Sequence, residues 1–174
     1  FGLNGLKDER NNVPDEKAEK IWRKVKGMVG KVNVEEREGL NSVRIYLTLK
    51  KWVEEEGLSG LAVECYPNFM GQVCLAYSLL SEKGIPGSCE GDVNSLVAMF
   101  LLYSLTGIPV HNTDLLTVYP KDNSILFSHC GSGAFSLAQN KEQINLSPVR
   151  LANKGLCVLF SGRSGKVTLV NLVG

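Results

Sequence analysis

Histidine is nearly missing from this 174-residue chain: His111 and His129 are the only two. The cysteines, Cys65, Cys74, Cys89, Cys130 and Cys157, are odd in number and scattered, and none forms a C-x-x-C pair. That excludes the ligand spacing of a structural zinc site and argues against a disulfide framework, so a reducing cytoplasm is the expected setting. Charge of one sign is lacking as well. A formal net charge of +1 supplies no field to draw in nucleic acid or an anionic membrane, and neither is expected as a partner. Long apolar runs are absent too: "SLVAMFLLYSL" (95–105) falls well short of the roughly 18–20 residues of a membrane span. The opening "FGLNGLKDER" shows no basic-then-apolar secretion pattern. It also has no initiator methionine, so the chain is expected to be a piece of something longer.

What is present is ordinary globular material. With 44% hydrophobic and 21% charged residues, the chain has enough for one good-sized domain or two small ones. Ala18, Ile21, Trp22, Val25 and Met28 recur at spacings of three and four, which predicts an amphipathic helix over 15–29, with Pro14 near its start. A second helix is expected over about 34–56, on a face of Leu40, Val43, Leu47 and Val53. "LSGLAVECYP" (58–67) reads as a short buried strand, "FMGQVCLAYSLLSEKG" (69–84) as a helix closed by Gly84, and "IPGSC" as a brief extended segment. A third major helix over 93–106 ends at Gly107 and Pro109. It is apolar nearly all round and is expected to be buried on every side.

Strand and helix in alternation predict an α/β fold with a Rossmann-like open sheet over 1–108. After 108 the texture turns β-rich, and 109–174 is expected to form a separate C-terminal part. Two hairpins are predicted there: one turning at Lys121-Asp122-Asn123, the other within 156–172 at "GRSG". "SGRSGK" (161–166) has the wrong spacing for a phosphate-binding loop and precedes "VTLVNL", so it is read as that second turn. Cys130, next to His129 on a strand, points to the opposite face and is read as a buried hydrophobe.

The chemistry is sought at the acids. "GIPGSCEGDVNS" (84–95) places Glu90 and Asp92 directly before the apolar helix, and Glu64 ends the strand at 58–67. Asp92 reads equally well as that helix's N-cap. Capping does not account for Glu90 or Glu64. Ligands in open α/β sheets bind outside the carboxyl ends of strands, and three carboxylates converging there repel one another unless a cation or shared protons intervene. Oxygen ligands suit Mg²⁺ or Mn²⁺, and one imidazole moves the preference toward Mn²⁺. His129, at the end of "SILFSH", is the candidate imidazole, set against an ordinary structural role.

"CEGD" before the helix, "LTG" ending it, Asp114-Leu115 and "HCG" closing the next strand pair resemble the central to C-terminal part of the L-fucose and L-arabinose isomerase superfamily. The likeness is greatest to its shorter fucose-isomerase-like members; "AVECYP" and "SLLSEKGIP" also fit. The resemblance implies a metal-dependent aldose–ketose isomerase that moves a proton through an ene-diol. It implies Glu64, Glu90, Asp92 and His129 as ligands of Mn²⁺ (or Mg²⁺ or Co²⁺), with Asp92 and Glu64 catalytic. It further implies a neutral monosaccharide substrate, a homo-oligomer, and an N-terminal α/β region preceding Phe1. The rival expectation is a non-catalytic sugar-binding or assembly module that keeps the fold.

Overall fold

A computed structural model describes residues 2–173. Five helices form among them: α1 (Leu3–Asn11), α2 (Asp15–Lys26), α3 (Glu36–Glu56), α4 (Cys74–Ser81) and α5 (Val93–Thr106). The strands are β1 (Lys31–Val32), β2 (Leu61–Ala62), β3 (Gly87–Ser88), β4 (Asp114–Tyr119), β5 (Ser124–Ser128), β6 (Asn145–Val149) and β7 (Lys154–Leu159). They make three small sheets. β6 sits between β1, to which it is parallel, and β7, to which it is antiparallel; β2 and β3 are a parallel pair; β4 and β5 are an antiparallel hairpin. The fold is therefore mixed α/β, and its parallel pairing is confined to two-residue stretches.

α2 carries Asp15 and Glu16 in its first turn and Arg23, Lys24 and Lys26 in its last, each end complementing the helix dipole. Its apolar stripe of Ala18, Trp22 and Val25 is buried against α3. The approach is close because residue 39 is glycine: a β-carbon there would lie 2.3 Å from Trp22 Cζ2. α3 is buried on more than one face, since α1, α2, α4 and β7 all pack against it. Two apolar clusters share this scaffold. One gathers Leu6, Ile45, Leu49, Phe69, Tyr77 and Leu80; the other gathers Trp22, Val43, Leu75, Phe135, Leu146 and Leu156. Each fully buried large side chain is worth roughly 1.5–3 kcal/mol over leaving it in water.

Several expectations change at this point. The strand expected over 58–67 is hydrogen-bonded only at Leu61–Ala62, and the helix expected from 69 begins at Cys74 after a run of turns holding Pro67 and Gly71 (φ 75°). The hairpin expected within 156–172 does not form. β7 instead folds back on β6, through a turn in which Asn153 takes positive φ, as does Gly155 just inside β7. After it Gly162 bridges Ala138, and 163–173 contain no strand. Pro148 inside β6 removes one backbone donor and hides that strand from a pattern reading. The hairpin β4–β5 forms as expected, turning through a 3₁₀ segment at Pro120–Asp122 with Asn123 left-handed (φ 47°).

α5 matches its expected span but not its expected burial. Only Ala98 and Met99 are buried, whereas Val93, Val97, Phe100, Leu101 and Leu105 are exposed, Leu105 to 83%. Its main contacts are β2 and β3 on one side, and its outer face has no cover among the described residues.

Candidate functional site

The carboxyl ends of β2 and β3 deliver the acids. The strands are in register at Leu61–Gly87 and Ala62–Ser88, and Tyr77 fastens them further along. Its buried hydroxyl accepts from Val63 N at 2.9 Å and donates to Ser88 O at 2.8 Å. Gly91 N then donates to Val63 O at 3.2 Å. A β-carbon on Gly91 would sit 3.7 Å from Glu64 Cβ, so the Glu64 and Glu90–Asp92 loops touch. Glu90 is exposed and left-handed (φ 59°), a conformation that costs a side-chain-bearing residue about 1–2 kcal/mol.

Asp92 is the N-cap of α5. Oδ1 accepts from Ser95 N at 2.9 Å and Oδ2 from Ser95 Oγ at 2.5 Å. The Ser95 hydroxyl, followed by its backbone N–H, holds the carboxyl below the usual aspartate range. Both oxygens are engaged and their basicity is lowered.

His129 faces Asp114. Its side chain is 7% exposed, and Nε2 lies 3.7 Å from Asp114 Oδ2. A carboxylate opposite Nε2 favours a proton on that nitrogen. His111 stands near it, pushed down to about 4 by burial and then by the neighbouring His129, and is a neutral imidazole at physiological pH. Asn112 Nδ2 donates to Ser88 Oγ at 3.2 Å, which ties the 108–113 link to β3.

The structure thus brings the Glu64 and Glu90–Asp92 loops together and pairs His129 with Asp114. Among the described residues, no group of three or more His, Cys, Asp or Glu side chains is gathered closely enough to hold a metal ion. The donor types suit a hard divalent cation, but their arrangement does not enclose one, and no step below is routed through a metal. All five thiols are free. Cys65 is lowered to about 7 by a hydrogen bond with Cys89, whose own thiol is pushed up by the same bond and by burial.

A cleft of about 810 Å³ opens beside this region, between the end of α5, the 108–113 link, His129 and the 158–169 segment. His111 Nδ1, Thr113 Oγ1 and His129 Nδ1 are buried and have no hydrogen-bond partner among the described residues. All three residues line the cleft, as do Arg163 and Lys166. Sequence reasoning passed over His111, Thr113, Arg163 and Lys166. The available signals were that both histidines fall within one stretch of twenty residues, and that "SGRSGK" carries two cations. A second groove, of about 400 Å³, runs along α1, α2 and α3, where Glu9 and Lys51 already pair with each other.

No family model matches the chain. Curated relatives named sulfoquinovose isomerase do. The protein of Alkalicoccus urumqiensis is 33% identical over 128 residues, covering 70% of this chain and 28% of that protein. The protein of Priestia aryabhattai is 32% identical over 126 residues, with the same shares of 70% and 28%. That of Clostridium sp. (strain MSTE9) is 31% identical over 114 residues, 62% of this chain and 26% of that protein. The chain therefore spans little more than a quarter of the length of these relatives. They support a sugar-isomerase family, which agrees with the resemblance at that level and leaves the particular member open. No helix among the described residues is long and apolar enough to cross a membrane.

Proposed function

We propose that this chain forms part of a sugar isomerase that interconverts an aldose and its ketose. The carrying observation is the 33% identity to a sulfoquinovose isomerase over 70% of the chain. The touching loops at the ends of β2 and β3 add support, because moving a proton between adjacent carbons needs a carboxylate held at a fixed place. Glu64 is the better base of the two acids in this reading. It is exposed at a strand end, whereas Asp92 is committed to its cap. The sugar is a monosaccharide of the kind named for the relatives.

The divalent cation, Mn²⁺ with Mg²⁺ or Co²⁺ as alternatives, belongs to the same proposal. Glu64, Glu90, Asp92 and His129 are its assigned ligands, and closing the site needs further elements of a longer chain or of another subunit. The β2–β3 pair is then the stub of a Rossmann-like sheet. The uncovered faces of α5 and the β4–β5 hairpin are covered by a second copy in a homo-oligomer, in a cytoplasmic setting.

One observation favours the alternative of a non-catalytic sugar-binding or assembly module: the engagement of both Asp92 oxygens by Ser95. The deciding experiment uses the protein that carries this chain, with Mn²⁺ supplied. Interconversion of sulfoquinovose, L-fucose, L-arabinose and D-arabinose with their ketoses is followed by NMR. Turnover of at least one sugar is expected, and Glu64→Gln should lower it by at least about a hundredfold, the scale of a lost general base. No turnover of any of them overturns the proposal.

A further inference from the structure

The five free cysteines fall into two groups in space. Cys74 and Cys157 are buried together beside Val149, with Cys130 against them. Cys65 and Cys89 belong instead to the apolar cluster around Tyr77, just past the ends of β2 and β3. The backbone brings this second pair together because the two segments go on bonding after the strands stop. Val63 N donates to Ser88 O at 3.3 Å, Gly91 N donates to Val63 O at 3.2 Å, and the Tyr77 hydroxyl joins Val63 to Ser88. Cys89 follows β3 directly, and its thiol shares a hydrogen bond with that of Cys65.

Two further observations single the pair out. Glu90, next to Cys89, is held left-handed, and its N–H donates to Cys65 Sγ. Backbone strain of that kind persists only where its surroundings enforce it, and it gathers at reacting and switching sites. The two sulfurs are also unequal in access. Cys65 is 7% exposed and Cys89 2%, and Cys89 Sγ also reaches Ser132 Oγ at 3.9 Å. A small oxidant therefore meets Cys65 first, with Cys89 waiting beside it.

In a reducing setting such a pair is no permanent staple, since disulfides there are transient and catalytic or redox-sensing. We propose that Cys65 and Cys89 are an oxidation site for hydrogen peroxide, closing reversibly to a disulfide that moves the acid loops. Cys65 Sγ attacks one peroxide oxygen, the O–O bond breaks, and the thiol proton leaves with the departing hydroxide as water. Cys89 Sγ then attacks the sulfur of the resulting sulfenic acid, forming the S–S bond and releasing a second water. Two thiols and one peroxide thus give one disulfide and two waters, and a small dithiol reverses the change by exchange. Bonded sulfurs stand closer than hydrogen-bonded ones, so closure draws the two segments together and shifts Glu64 and Glu90, their chain neighbours. The disulfide stands apart from the isomerase reading; only its effect on turnover rests on that reading.

The test treats the protein that carries this chain with hydrogen peroxide, blocks the remaining thiols with iodoacetamide, and maps the peptides by mass spectrometry. A peptide linking Cys65 to Cys89, lighter than its parts by two hydrogens, is expected, and dithiothreitol should release it. Cys89→Ser keeps a hydroxyl for Ser132 and removes the second sulfur, so dimedone should label Cys65 as a sulfenic acid in that variant. Cys65→Ser should give neither the linkage nor the label. A linkage among other cysteines, a wild type that keeps both thiols, or no label on Cys65 in Cys89→Ser overturns the proposal. Where the wild type turns over a sugar, oxidation should lower the rate by about tenfold or more, as displaced catalytic groups do, and dithiothreitol should restore it. Cys65→Ser should hold its rate through the same treatment. A rate untouched by the linkage overturns the switch. Linkage in a protein that turns over no sugar sinks the isomerase reading and leaves the oxidation site standing.

Discussion

Ser95 donates to both oxygens of Asp92, from its backbone N–H to Oδ1 and from its hydroxyl to Oδ2, and so closes the first turn of α5. Asp92→Ala is expected to cost about 1 kcal/mol, the usual worth of an N-cap, measured by urea unfolding; Asp92→Asn should keep most of it. The pH dependence follows from the lowered carboxyl. A depressed folded-state pKa contributes stability that is fully present above the unfolded value, near 4, and is lost as pH falls through the folded value. The stability gap between wild type and Asp92→Asn should therefore narrow on going from pH 6 to pH 3. A constant gap would mean that the charge does nothing for the cap.

Tyr77 joins β2 to β3 through one hydroxyl. Tyr77→Phe removes that shared partner and leaves Val63 N–H and Ser88 C=O only their direct bond of 3.3 Å. A loss of about 0.5–1.5 kcal/mol is expected, together with faster hydrogen exchange at the Val63 amide. An unchanged amide would show that the strand ends are held by other means.

Gly39→Val should destabilise by about 1–3 kcal/mol, because the new side chain drives into the Trp22 ring. Near-native stability would mean that α2 and α3 separate freely.

The uncovered face of α5 invites a test of assembly. Leu105 is 83% exposed, so Leu105→Lys costs the monomer little. Sedimentation is expected to show an oligomer for the wild type and a smaller species for the variant. A wild type that stays monomeric at every concentration would contradict the homo-oligomer.

The elements read correctly from sequence carry their signals locally. α5 has an aspartate before it and a left-handed Gly107 after it, and the β4–β5 hairpin has a polar turn between two β-rich runs. α1 has little periodicity to read, and buries only Leu6 fully. The second hairpin failed for a different reason. "VTLVNLV" has strand composition, but strand formation needs a partner, and β7 had already taken β6. The touching acid loops were legible because acids following apolar strands are conspicuous. The cleft was not, because it arises where 108–113 meets 158–169, two segments with no mutual signature in the sequence.

β1 pairs with β6, so Lys31 lies beside Asn145 and the sheet closes across most of the chain. During synthesis this imposes a delay. Trp22 and Val43 leave the ribosome early, and the residues that cover them, Leu146, Leu156 and Val158, emerge more than a hundred positions later. At roughly 5–20 residues per second, that half of the interior stays wet for on the order of ten seconds in the nascent chain. Over that interval the emerging protein offers an apolar helical face to holding chaperones and to neighbouring nascent chains. Yield in a heterologous host should accordingly depend on translation speed through residues 44–158.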